Sequence, residues 1–358
     1  MDGRTALGLR LSSLLLRGNA PASVGEIVSW FGAMQSQDAN SMLWSLGARL
    51  PGWTLGDVND ALEKREVLRT WPMRGTVHLV PAVDAHWMLD LMGVRALAGA
   101  EKRRETLGLD LATSERAVEL LGSALAGGGR LTRSECLEAL RSGGVEVSGQ
   151  RGYHLLWYAS QRGVTAIAPH VGKEQTFVLL DEWVPAPVRP SREEALGMIA
   201  LRYFRSHGPA TRKDFAGWTG LTMTDCKAGI AVAGDELSVV DVEGAEMIMA
   251  ANTADRGVDG WLALPGFDEY MLGYKDRSLM ASPADLAAII PGGNGVFQST
   301  LVRDGRVVAT WKRVLGARGV TVTVLPLGRF TAADHRAAAL ALEPFASFLG
   351  VPLTVKNP

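Results

Sequence analysis

The sequence predicts an α+β chain in which one unit, three helices followed by a β-hairpin, recurs three times ahead of a β-rich α+β C-terminal domain. Three observations carry this reading: a recurring order of helix-start and turn signals, a proline-marked linker, and a change of character after residue 257. The clearest copy covers residues 114–178. Ser114 is placed to cap a helix over 114–126, which Gly127-Gly128-Gly129 stops. Thr132 with Glu135 has the spacing of a capping box and opens a second helix ending at Gly143-Gly144. A third helix runs over about 148–161, and strands over 164–168 and 175–180 flank a loop containing His170, Gly172 and Lys173.

The copy over 191–250 repeats this order. Ser191 and Glu194 form a second capping box, and the helix they open ends at His207-Gly208-Pro209. Thr211-Arg212-Lys213-Asp214 starts a short helix, a third helix spans 222–233, and strands over 237–242 and 246–250 form the hairpin. The N-terminal copy is looser. Helical periodicity covers 7–16 and continues through Val24, Ile27, Val28 and Phe31; a helix over 55–64 precedes strands over 67–71 and 76–80 around Met73-Arg74-Gly75. Helix, short helix, helix, hairpin is the order of a winged helix. The expected domains are therefore three tandem winged-helix units, 1–100, 101–184 and 185–257, with Pro185, Pro187 and Pro190 as the linker before the third. The C-terminal domain is 258–358. There Asp304-Gly305 joins strands over 298–302 and 306–312, followed by a strand over 320–325 and a helix over 331–349.

Composition bounds the function. With 358 residues, 47% hydrophobic and 21% charged, the chain has the balance of a soluble globular protein with room for several cores. A formal net charge of -1 lacks the bulk basicity of many nucleic-acid binders, so DNA binding requires basic residues gathered on one face. Cys136 and Cys226 lack disulfide or zinc spacing, and the six histidines show no HExxH pair. No metal or cofactor is expected, nor any signal peptide or membrane span. The expectation is a cytoplasmic monomer whose partner is duplex DNA.

In a winged helix the third helix enters a groove and the wing meets the backbone. The candidate DNA contacts are Arg74, Arg151, Arg162, Lys173, Arg212 and Lys213, each with the plainer alternative of a solvated surface charge. Lys102-Arg103-Arg104 is a further basic cluster. His78, inside a wing strand, reads as a structural histidine or a proton shuttle. Gly292-Gly293-Asn294-Gly295 lacks the lysine of a phosphate loop and reads as a plain loop. Asp268-Glu269 sets two carboxylates side by side, which face different ways unless the backbone bends. Trp44, Trp71, Trp87 and Trp157 sit in apolar contexts and are assigned to the core. Gln35-Ser36-Gln37-Asp38 stands apart, polar between two apolar runs. On a helix its two glutamines would diverge by roughly 200°; at a helix end or in a turn both amides can converge. The run is either a solvated polar terminus or a site, with Asp38 a helix cap or an electrostatic partner.

Over most of its length the chain resembles the winged-helix DNA glycosylase family of AlkZ and YcaQ type. The resemblance rests on Gln35-Ser36-Gln37-Asp38, on Arg69 to His78 (RTWPMRGTVH), on Phe177-Val178-Leu179-Leu180, and on Leu264 to Tyr270 (LPGFDEY). It implies three tandem winged helices and a β-rich C-terminal domain around a DNA-sized concave surface. It also implies excision of N7-alkylated purines and unhooking of interstrand crosslinks, as repair or as self-resistance to a DNA-alkylating natural product. The family's catalytic motif is Gln-x-Gln in one branch and Gln-x-Asp in the other. Gln35 and Gln37 match the first, while Ser36 stands where a more apolar residue is common. The expected activity is monofunctional hydrolysis of the N-glycosidic bond; the alternative is a DNA-binding protein or regulator without chemistry.

Overall fold

Side-chain caps start several helices at the predicted positions. Thr132 accepts from Glu135 N, and the Glu135 carboxylate takes the Thr132 N–H at 2.7 Å, opening helix Arg133–Ser142. Ser191 and Glu194 bond reciprocally ahead of Arg192–His207, and Thr211 and Asp214 do so ahead of Arg212–Thr219. Thr222 caps Met223–Ala233, and Thr331 caps Ala332–Leu349. Other starts shift: the helix expected from about 148 begins at Arg151, and the helix expected over 7–16 is Gly3–Ser13. The helix assigned to 114–126 is Leu111–Leu125, and its cap is Asp110, which accepts from Thr113 N. Ser114 lies on the buried face of the first turn and donates to Asp110 O at 3.0 Å, so the carboxylate, the stronger acceptor, holds the terminus.

The computed structural model describes residues 1–293 and 295–356; Asn294 of the glycine-rich loop lies outside them. The order of elements in the two clearer copies is the expected one. Helices Leu111–Leu125, Arg133–Ser142 and Arg151–Gln161 precede strands Thr165–Val171 and Glu174–Leu179. Helices Arg192–His207, Arg212–Thr219 and Met223–Ala233 precede strands Leu237–Val242 and Ala245–Ala250. The N-terminal segment carries Gly3–Ser13, Val24–Phe31, Leu55–Glu63 and the hairpin Val67–Met73/Thr76–Pro81, plus a helix Ala39–Gly47 that periodicity did not predict. Among the described residues no helix is long and apolar enough to cross a membrane.

By packing, the chain divides into two units: residues 1–60, 196–218 and 222–358, and residues 61–195 with 219–221. In the second unit, strands run in the order Thr76–Pro81, Val67–Met73, Thr165–Val171, Glu174–Leu179, Arg130–Thr132, every pair antiparallel. The two predicted wings are thus one sheet, joined where Arg69 faces Ile167. Its core gathers Trp71, Leu121, Leu125, Leu140, Leu155 and Phe177.

The first unit contains a sheet ordered Trp261–Leu264, Ser299–Arg303, Arg306–Gly316, Gly319–Pro326, Leu353–Lys356, antiparallel except for the last pair. Helix Ala332–Leu349 packs on it through Phe345, whose ring lies 5.2 Å from those of Trp311 and Trp44. The four tryptophans assigned to the core are all buried.

Asp304 (φ 48°) and Gly305 (φ 75°) make the predicted two-residue turn, both in the left-handed region that such hairpins require. A Cβ on Gly305 would also come 3.0 Å from the Leu7 side chain. Gly305→Ala should therefore lower stability by about 1–2 kcal/mol. Urea unfolding measures this, and an unchanged midpoint would contradict it.

Candidate active site

The glutamine run begins where helix Val24–Phe31 stops at Gly32, whose φ of 81° breaks the helical backbone. Met34–Gln35 is extended, and helix Ala39–Gly47 starts immediately after Asp38. Residues 35–38 are therefore a linker between two helices. The chain is extended only over Met34–Gln35 and bends at Gln37 and Asp38. Ser36 is fully buried, Gln35 is half-buried and Gln37 is exposed. The position where a more apolar residue is common in the family therefore points inward. The hydroxyl of Ser36 keeps a polar atom in an otherwise apolar position.

Asp38 is the cap. Its carboxylate accepts from Ser41 N at 2.7 Å, satisfying a donor of the first helical turn. It also faces Arg313: burial lowers that guanidinium's pKa, and the Asp38 charge acts against the shift.

Gln35 is fixed through its backbone. Its N–H donates to Glu269 Oε1 at 3.0 Å, while Glu269 Oε2 accepts from Trp218 Nε1 at 3.0 Å and His207 Nε2 at 3.2 Å. All three of these side chains are buried. The side-chain Oε1 of Gln35 is itself buried and has no hydrogen-bond partner among the described residues. A buried acceptor without a donor is rare in native proteins and marks a position where a substrate or solvent group can bind.

Asp268, the neighbouring acid, serves a separate network. Arg49 grips it with Nη1 at 2.8 Å and Nη2 at 3.1 Å, Ser45 Oγ donates to it at 2.6 Å, and it accepts from Tyr270 N at 2.9 Å. Ser45 belongs to helix Ala39–Gly47, so Asp268 holds the segment that follows the glutamines while Glu269 holds Gln35 itself. The backbone turns into this pair through Phe267, a non-glycine residue at φ 61°. The two carboxylates do face different ways, and each has its own donors.

The remaining sequence candidates divide into three kinds. His78 is buried in its hairpin; its Nδ1 lies 2.9 Å from Thr76 O and its Nε2 lies 3.5 Å from Arg74 Nη2, the geometry of a structural histidine. Arg151, Arg162 and Arg212 pair with Glu146, Glu115 and Glu246. Arg74, Lys173 and Lys213 are exposed, the first two at hairpin turns. Arg151 and Arg162 stand at opposite ends of one helix, and Arg212 and Lys213 open another. Sequence reading did not single out Ser45, Arg49, His207 or Trp218. The available signals were a lone arginine in an apolar stretch and a histidine ahead of Gly208-Pro209.

The linker thus brings two glutamines, one half-buried and one exposed, next to a buried carboxylate network that holds the first of them by its backbone. A family model described as DNA glycosylase AlkZ-like matches residues 28–348, and the chain belongs to that family. It is by family a DNA glycosylase, a hydrolase of N-glycosyl bonds. It is 26% identical over 329 residues to an interstrand DNA cross-link repair glycosylase of Streptomyces sahachiroi, covering 87% of this chain and 88% of that one. Its fold matches the solved structure of the Streptomyces sahachiroi DNA glycosylase AlkZ, with a TM-score of 0.82 at 24% identity and 100% of both chains covered.

Burial alone would raise the Asp268 carboxyl, but the Arg49 charge and hydrogen bonds, with those of Ser45 and Tyr270, outweigh it and hold it below its ordinary 3.8. A folded-state value below the unfolded one makes this group stabilising above the unfolded value, and that contribution is lost as pH falls through the folded one. Wild type should lose stability on acidification below about pH 4. Asp268→Asn should flatten part of that dependence while costing about 3–5 kcal/mol near neutrality, because Arg49 is left buried and unpaired. Denaturant titrations across pH test both effects; an unaltered acid slope would remove Asp268 from the account.

Proposed function

We propose that the chain is a monofunctional DNA glycosylase that hydrolyses the N-glycosidic bond of N7-alkylated purines in duplex DNA, including bulky and interstrand-crosslinked adducts. The observation that supports this reading is the buried Gln35 Oε1, an acceptor with no hydrogen-bond partner among the described residues, in the short linker that also carries Gln37. Family membership and the name of the Streptomyces relative support the substrate class.

The chemistry suits amides. Alkylation at N7 leaves positive charge on the purine, so the C1′–N9 bond breaks with its electron pair passing to N9 and neutralising the base. Water adds its oxygen to C1′ and releases a proton to solvent, leaving an abasic site. The transition state is oxocarbenium-like. Amide oxygens of Gln35 and Gln37 can accept the water's hydrogens and present partial negative charge to C1′, without taking a full proton. With the base already a good leaving group, holding the nucleophile in line supplies most of the remaining catalysis. Asp38 acts as the cap for the following helix, in keeping with its bond to Ser41.

On this reading the three helix-and-hairpin copies are tandem winged helices, and Arg74, Lys173 and Lys213 meet phosphates. Arg151, Arg162 and Arg212 would do so by exchanging their carboxylate partners. The enzyme would work as a monomer in the cytoplasm. The test is base release from duplexes carrying methyl, bulky and crosslinked N7-guanine adducts. Wild type should release the modified base, and Gln37→Ala should slow single-turnover release by about 100-fold or more, the scale of one lost charge-stabilising contact. Sequence-selective binding to undamaged DNA without any base release would instead favour a regulator.

A further inference from the structure

His207 is fully buried, yet both of its ring nitrogens have partners: Nδ1 lies 2.8 Å from Ser206 Oγ and Nε2 lies 3.2 Å from Glu269 Oε2. We propose that His207 is a positioning residue for base release: with a hydrogen on Nε2 it orients the Glu269 carboxylate, whose other oxygen holds the Gln35 N–H. The inference rests on the reading of Gln35 as catalytic. All of these residues belong to the unit formed by 1–60, 196–218 and 222–358.

Hydrogen counting is the first argument. A carboxylate oxygen only accepts, and Glu269 Oε2 already takes the Trp218 indole N–H at 3.0 Å. Nε2 must therefore bring a hydrogen, or two lone pairs would face each other. Ser206 can meet Nδ1 in either sense, because its hydroxyl both donates and accepts; it also reaches Arg202 O at 2.7 Å. When Ser206 donates to Nδ1, the ring carries its hydrogen on Nε2 alone. The serine thus turns the donor of its neighbour toward Glu269.

The fixed place of the ring is the second argument. It stacks on Tyr203 with centroids 4.6 Å apart and planes 12° from parallel. The rings of Trp218, Phe31 and Tyr274 lie at 5.4, 5.6 and 5.8 Å. Tyr203 in turn donates to Gly273 O at 2.9 Å, and Tyr274 donates to His207 O at 2.8 Å. A Cβ on Gly273 would lie 2.3 Å from His207 Cδ2 and 2.6 Å from Nε2, so a bare backbone there lets the ring reach Glu269. Packing needs only a flat ring, which phenylalanine would supply; the bond to Glu269 needs the nitrogen. If the carboxylate swings, the Gln35 backbone moves with it, and a misplacement of about 1 Å at a reacting group can cost roughly 100-fold in rate.

Nitrogen–proton NMR correlation spectra and single-turnover kinetics on the full chain test the proposal together. Spectra of wild type with labelled histidine should show a hydrogen on His207 Nε2. His207→Phe keeps a ring against Tyr203 and removes the donor, so the Gln35 amide and Trp218 indole resonances should shift. Its release of N7-methylguanine should slow about tenfold or more, the scale of one hydrogen bond to a carboxylate, while DNA affinity is unchanged. His207→Gln restores an amide donor and should recover part of that rate. A bare Nε2 in wild type, an unmoved Gln35 amide in His207→Phe, wild-type release by that variant, or equal losses in both variants would overturn the proposal. Should His207→Phe not fold, the wild-type tautomer decides. A wild type that releases no N7 adduct would instead defeat the proposed activity, and the spectra would still decide whether His207 places Gln35.

Discussion

The site depends on two adjacent buried carboxylates that hold in opposite directions. Asp268 takes a bidentate grip from Arg49 and a hydroxyl from Ser45; Glu269 takes the Gln35 N–H, the Trp218 indole and His207. Burying two neighbouring acids is costly unless each charge is fully hydrogen-bonded. Here the side-chain donors and the Gln35 N–H come from segments 35–49 and 207–218, which converge on one dipeptide. The consequence is rigidity in the linker. Gln35 cannot slide along the chain without breaking its bond to Glu269, and the helix after Gln37 cannot rotate without breaking Ser45 and Arg49 from Asp268.

That constraint explains why the sequence showed the glutamine run but not the conformation it takes. Capping boxes at Thr132 and Ser191 and the Asp304-Gly305 turn are local: the residues that form them are neighbours, so spacing alone identifies them. The conformation of Gln35 is set by a partner 234 positions away. Without it the run between Phe31 and Met42 could end a helix or turn, and only the fold shows that Ser36 is buried while Gln35 is half-buried and Gln37 exposed. The same limit applies to the basic residues. Arg162 and Arg212 look like free contacts in sequence, but Glu115 and Glu246 approach them only in the fold. Ser114 was misplaced for a different reason: two good caps, Asp110 and Ser114, lie four residues apart, and the apolar stripe of the helix decides between them.

Amides in place of a carboxylate base are consistent with the proposed reaction. A strong base would be wasted on a bond that the substrate's own charge has already weakened, whereas position and partial charge still matter. A neutral site also avoids placing a full anion beside DNA phosphates. The buried acids are engaged by protein donors, Asp268 by Arg49 and Ser45 and Glu269 by the Gln35 N–H, Trp218 and His207.

On the proposed reading, Glu269 acts on catalysis by holding Gln35 in place. A double-mutant cycle on single-turnover release of N7-methylguanine, with Gln35→Ala, Glu269→Gln and the double variant, tests it most directly. The prediction is that each single variant is slow and that the double variant is no slower than Gln35→Ala. Additive losses, or an active Gln35→Ala, would contradict it.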